Sequence, residues 1–287
     1  MLSRMARRLI PVALLLVAAA GCAPADEQAP APAATGLTNC SKDQLTTKTP
    51  GKLTIGTDDP AYEPWFKDNK PDNGQGFESA VAYAVAGKLG YGPADVKWIR
   101  VTFNNAIAPG PKDFDIDINQ FSITDERKQA VDFSGPYYLV RQTVIALKSS
   151  KIAGATSVSA LQGAKLGAQV GTTSYQAITD LVKPTAKPAV YNSNDDAKKA
   201  LQNGQIDGLV VDLPTAFYMT AAEIKDSVIV GQLPQVGVPE QFGIVLDKGS
   251  ALTGCITQAV DQLRSAGTLS SLEKEWLAQA AGARELT

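Results

Sequence analysis

The sequence predicts an α/β fold of two lobes, each a largely parallel sheet flanked by helices. Three observations carry that expectation. Short β-rich runs alternate with helical runs along most of the chain. Two places, Ser134-Gly135-Pro136 and "VGVPEQ" at 236–241, join a residue of fixed φ to one that bends freely, as a crossing between lobes requires. Between them lies a segment of roughly 100 residues, within the usual range for a separate lobe.

The elements follow in order. "KLTIGT" at 52–57 is a strand, and 77–89 is a helix with Phe77, Val81, Ala84, Val85 and Leu89 on one face, closed by Gly90. Strands are expected at 96–101, around 116–121, and at 143–147 and 165–170. A helix over 173–182, a strand at 189–191, a helix over 195–202, the strand "DGLVV" at 207–211 and a helix opening at Pro214 come next. Strands at 227–230 and 242–246 and helices over 250–265 and 269–280 complete the series. The implied division is 1–21 export signal, 22–49 lipidated cysteine and tether, 50–138 with 241–287 one lobe, and 139–240 the other. No short-period repeat points to a solenoid.

The first 21 residues carry Arg4, Arg7 and Arg8 and then an apolar run over 9–20, too short to span a bilayer and ordered as an export signal is. Ala19-Ala20-Gly21 before Cys22 resembles a bacterial lipobox, whose cysteine is lipidated to become the mature terminus; ordinary signal cleavage is the alternative. Removing three arginines and no acid takes the formal charge from −2 to −5, so the body has no general attraction for nucleic acid or anionic lipid. "APADEQAPAPAATG" at 23–36 lacks core formers and reads as a flexible tether. Cys40 and Cys255, near the two ends of the fold in an exported chain, are read as a structural disulfide, against two buried thiols.

The chain has no histidine, which excludes Ser-His-Asp and Cys-His catalysis, His-ligated zinc and axial-His haem. It has no phosphate-binding glycine loop, and "KDNKPDNGQGFE" has no register that supplies a calcium loop, so neither cofactor nor metal is expected. Recognition chemistry remains. Arg127 offers a planar fork for a carboxylate. "GTTS" at 171–174 opens a helix with N–H groups and hydroxyls, and Asp212 ends a strand where a carboxylate takes an ammonium. Together these describe an α-amino acid. Singly, Arg127 reads as a surface ion pair with Asp125 or Glu126, the hydroxyl residues as N-caps, and Asp212 as the cap of the helix at Pro214.

"SITDERKQAVDFSGPYY" (122–138), "DPAYEPW" (59–65), "GFESAVAYAVAGKLGY" (76–91), "GTTS", "NGQIDGLVVDLP" and "GTLSSLEKEWL" resemble, in order, the motifs of amino-acid-binding proteins of ABC importers, with the two-lobed periplasmic binding fold. The resemblance spans about residues 50 to 280. It implies that Arg127 takes the ligand α-carboxylate with Ser122 and Thr173, and that Asp212 takes the α-ammonium with the carbonyl of Gln120. Tyr62 and Phe103 would stack on the ligand side chain, with Asp59 at its far end. An ABC permease and ATPase are the implied partners, and the body is expected to act as a monomer.

Departures bear on selectivity. Gln120 stands where that family has Gly or Ser, "GFESAV" lacks the second acid common there, and Gln169 and Val211 precede the two motifs of the middle segment. Asp58, Asp59 and Gln120 supply acceptors, and no base beyond Arg127 is matched for a second carboxylate, so a neutral polar or cationic L-amino acid is expected. Two alternatives stay open: an enzyme of the same fold, similar to cyclohexadienyl dehydratase, and a sensory lipoprotein.

Overall fold

All five residues of β1 (Leu53–Thr57) are buried, the pattern of a strand covered on both faces. The computed structural model describes residues 37, 39–278 and 282–287, all within the unit Gly36–Thr287; the export signal, Cys22 and the 23–36 tether lie outside the described residues. β1 runs parallel to β2 (Val96–Arg100) and β3 (Ile116–Asp117). β12 (Val245–Asp247) runs against both β3 and β4 (Val131–Phe133), giving the order β2-β1-β3-β12-β4. Only β12 points the other way.

The second sheet repeats this logic. Its strands are β6 (Gln142–Leu147), β7 (Leu166–Gln169), β8 (Ala189–Tyr191), β9 (Gly208–Asp212) and β10 (Ser227–Gln232), in the order β10-β6-β9-β7-β8. β7 is parallel to β8 and β9, while β6 runs against β9 and β10. In each sheet the single reversed strand is the first after the chain changes lobes. The crossings themselves pair as a ribbon, β5 (Tyr138–Val140) antiparallel to β11 (Glu240–Phe242), with Leu139 opposite Gln241.

Helices α1 (Phe77–Lys88), α7 (Thr253–Ser265) and α8 (Thr268–Trp276) cover the first sheet, where Phe77, Val81, Val85, Ile256 and Val260 meet Leu53 and Ile55 in one core. The short α2 (Phe103–Ile107) and α3 (Arg127–Ala130) adjoin a smaller cluster of Phe103, Phe114, Phe121 and Val245. In the second lobe α4 (Thr173–Ala177) and α6 (Leu213–Tyr218) each continue into a π turn, and α5 (Asn194–Gln202) buries Ala197, Ala200 and Leu201. A disulfide joins Cys40 to Cys255 with the Cα atoms 5.4 Å apart, as expected.

Three expectations need correction. The strand at 116–121 shrinks to two residues because Gln120 takes a left-handed φ of +50°. The strand at 242–246 splits, since Gly243 N–H donates to Phe121 O and Ile244 N–H to the Ser134 hydroxyl oxygen. The last residues do not stay with the first lobe: Leu286 is fully buried in the second lobe's core beside Val144, Leu166 and Val230.

Candidate functional site

The interlobe cleft is nearly shut, a cavity of about 30 Å³. Tyr62, Phe103, Gln120 and Arg127 line it from one lobe, Thr173 and Asp212 from the other. The lobes touch around it. Arg127 Nη2 donates to Gly171 O at 2.9 Å, the Ser122 and Thr173 hydroxyls lie 3.1 Å apart, and Trp65 Nε1 donates to Thr215 Oγ1 at 2.9 Å.

Arg127 opens α3 and is only 8% exposed, so the surface ion pair is not formed; Asp125 pairs with Lys128 instead. Its Nη1 donates to Ser122 O at 2.7 Å and its guanidinium carbon lies 5.3 Å from the Phe103 ring centre. Burial lowers its pKa to about 10, while Glu240 and Asp212 pull the other way, so the guanidinium stays charged at neutral pH. Thr172, not Thr173, caps α4 by accepting from Tyr175 N–H at 3.3 Å. Gly171, at φ +74°, makes the preceding turn, and a Cβ there would meet Asn104 Oδ1 of the other lobe at 2.7 Å.

Asp212 begins the turn into α6 without using its carboxylate as a cap. That carboxylate accepts from Gln142 Nε2 at 2.8 Å, and burial, then the charge of Glu240, pushes it well above the usual carboxylate range. Gln120 N–H donates to Glu78 at 2.7 Å, and its side-chain amide and the Tyr137 hydroxyl bond the same carboxyl. The Gln120 side-chain nitrogen is thus committed to Glu78. Burial pushes Glu78 up to about 7 against these bonds.

Asp59 does not line the cleft. Its carboxylate accepts from Asn69 at 3.0 Å, while Arg100 holds the Asp58 and Asn69 carbonyls and so fixes this loop. Asp58 faces the cleft in its place, accepting from Phe103 N–H at 3.2 Å. The Tyr62 hydroxyl is buried beside the Asp195 carboxylate, and burial, then that carboxylate, raises its pKa. Sequence reasoning missed Glu78, Gln142 and Glu240. The available signal was polarity out of place: Gln142 heads the apolar run "QTVIAL", and Glu78 sits in the first turn of a buried helix.

Two α/β lobes on a paired-strand hinge, with ionic groups of opposite sign facing across the cleft, define a protein built to enclose a small solute. Residues 53–279 match the model of bacterial extracellular solute-binding proteins, family 3, and the chain belongs to that family. It is thus an extracytoplasmic solute-binding protein. A probable histidine-binding protein of Campylobacter jejuni is 29% identical over 83% of this chain and 88% of its own length. The glutamine-binding protein GlnH of Bacillus subtilis is 30% identical over 74% of this chain and 77% of its own. Among solved structures, an ancestral arginine-binding protein bound to glutamine is 30% identical, with a TM-score of 0.66 over 79% of this chain and 97% of its own. An ancestral amino acid-binding protein described as a precursor of cyclohexadienyl dehydratase is 32% identical, with a TM-score of 0.64 over 79% and 95%.

Proposed function

We propose that this protein captures an L-amino acid, neutral polar or cationic, by closing its lobes on the zwitterion, and delivers it to the permease of an ABC importer while anchored by lipid at Cys22. The observation that carries the reading is the convergence of Arg127 and Ser122 from one lobe with Thr173 and Asp212 from the other. Arg127 takes the α-carboxylate and Asp212 the α-ammonium. Because the two grips belong to different lobes, only the closed form engages both, and the ligand shifts the population toward it. Charged hydrogen bonds of this kind contribute about 1.5–3 kcal/mol each.

The acids around the cleft favour the expected ligand class. Among the described residues that line the cleft, Asp58 and Asp212 stand against Arg127 as the one cation, and none of them offers a second cation to an acidic side chain. Relatives named for histidine, glutamine and arginine agree with this. The enzyme reading keeps one observation, the 32% identical precursor of a dehydratase, although that protein is itself described as amino acid-binding.

The test is a thermal-shift screen of residues 37–287 against the common L-amino acids, followed by calorimetry. Ligand at 100 times Kd adds about 2.7 kcal/mol of stability, a shift of several degrees at least. Shifts confined to neutral polar or cationic amino acids support the reading. Tight aspartate binding that displaces every neutral candidate defeats the ligand class, and no shift at all defeats the amino-acid reading.

A further inference from the structure

Glu240 is not among the residues assigned above to the ligand, yet its carboxylate is where the hinge meets both lobes. It projects from β11, the second strand of the ribbon. The Ser122 hydroxyl, from the first lobe, donates to it at 2.6 Å. Gln142 Nε2, from the second, donates to its two oxygens at 3.0 and 3.1 Å. The same nitrogen donates to Asp212 at 2.8 Å, and the Ser174 hydroxyl donates to Gln142 Oε1 at 2.7 Å, which fixes which way the amide faces. Two carboxylates therefore share one amide nitrogen, with Gln142 only 6% and Ser122 only 2% exposed.

The charge around this pair is lopsided. Arg127 on α3 is the cation that faces Asp212; Glu240, Glu78 on α1 and the Tyr137 and Tyr138 hydroxyls are the other titratable groups that act on it or feel its charge. Glu78 already accepts from Gln120 and Tyr137, and its charge, where it is ionised, pushes Asp212 in the same direction as Glu240 does. The Ser122 hydroxyl directs its O–H to Glu240, so its oxygen accepts from the Thr173 hydroxyl. One hinge side chain thus sets the direction of a hydroxyl chain across the lobes and crowds Asp212 with a second negative group.

We propose that Glu240 is a positioning residue that makes the ammonium end of the cleft a two-carboxylate site, so that a ligand ammonium docking on Asp212 expels the proton held there. The proposal rests on the amino-acid reading above. In the step, the O–H bond of the Asp212 carboxyl breaks and its proton passes to buffer. The ligand arrives with its ammonium already protonated and donates an N–H to the carboxylate left behind; no bond within the ligand changes. Burial and the neighbouring Glu240 charge, which hold Asp212 well above the ordinary range, agree with this. Because Glu240 lies on a strand of the ribbon that joins the lobes, the exchange is tied to closure.

Calorimetry of residues 37–287 with L-glutamine and L-arginine, in two buffers of different ionisation enthalpy, counts the protons released. The wild type is expected to release close to one proton per ligand below neutral pH, with affinity rising up to about tenfold per pH unit. Glu240→Gln is expected to lower the number of protons released, because the neighbouring negative charge that helps hold a proton on Asp212 is gone while the burial of Asp212 remains. Binding by the wild type with no proton released overturns the proposal without recourse to any variant. A folded Glu240→Gln protein that releases as many protons as the wild type also overturns it, and leaves the release to the burial of Asp212 alone or to another group such as Glu78. Absence of binding by either amino acid and by every other candidate removes the amino-acid reading itself, and the proposal with it.

Discussion

The guanidinium of Arg127 spans the cleft to the carbonyl of Gly171 at 2.9 Å while its other terminal nitrogen holds Ser122 O at 2.7 Å. One side chain so fixes its own fork and brings two lobes into register. A lysine carries one compact ammonium instead of a planar fork and does not reproduce bonds made by two separate nitrogens. Arg127→Ala is expected to weaken amino acid binding by at least tenfold, and Arg127→Lys to recover less than half of that loss in free energy. Calorimetry decides it; unchanged affinity in the alanine variant removes Arg127 from the site.

What was legible in the sequence was local. "KLTIGT" reads as a buried strand because its apolar residues and flanking turn signals are neighbours, and "GTTS" reads as a strand-to-helix turn for the same reason. Arg127 and Asp212 were legible as chemistry once several motifs were seen together. Glu240 was not, since its bond to Ser122 joins residues 118 positions apart, and in its own segment it reads only as part of a hinge. The exchange of Asp59 for Asp58 is a one-residue choice made by Arg100 and Asn69, which no periodicity encodes.

The disulfide bears on stability rather than on the cleft. Cys40 and Cys255 are separated by 215 positions and both belong to the first lobe's core. Removing a constraint on so long a loop, by Cys40→Ser with Cys255→Ser, is expected to cost about 2–5 kcal/mol. Urea unfolding with and without reductant measures this, and ligand selectivity is expected to stay as it was. A reduced protein as stable as the oxidised one contradicts the expectation.

Glu78 predicts a pH dependence of stability opposite to that of a surface carboxylate. Burial, opposed by bonds from Tyr137 and Gln120, raises it from an ordinary 4.5 to about 7. Between those values the folded state holds more protons than the unfolded one, so stability falls as pH rises, by up to about 1 kcal/mol per unit from this group. Asp117, fully buried with neither carboxylate oxygen bonded among the described residues, is shifted in the same direction. Glu78→Gln is therefore expected to flatten the decline in Tm from about pH 5 to 8. A variant with the slope of the wild type assigns the dependence to other groups.

The carboxyl terminus supplies a third link between the lobes. After α8, packed on the first lobe, residues 282–287 lie along β10 of the second. Gln232 N–H donates to Arg284 O at 2.8 Å, Leu286 N–H to Gln232 O at 2.9 Å, and Val158 N–H to Thr287 O at 2.9 Å. Arg141 pairs with Glu285 at 2.5 Å, and the Leu286 side chain is fully buried where a Cβ on Gly231 would meet it at 2.8 Å. The backbone bonds hold the tail in place, but burial of Leu286 is the larger contribution, since exposed ion pairs are worth under about 1 kcal/mol. Leu286→Ala is expected to lower the unfolding free energy by about 2–4 kcal/mol, and Glu285→Ala by less than about 1. Urea unfolding of the two variants separates these; a Leu286→Ala loss no greater than that of Glu285→Ala means that the tail is held by its backbone alone.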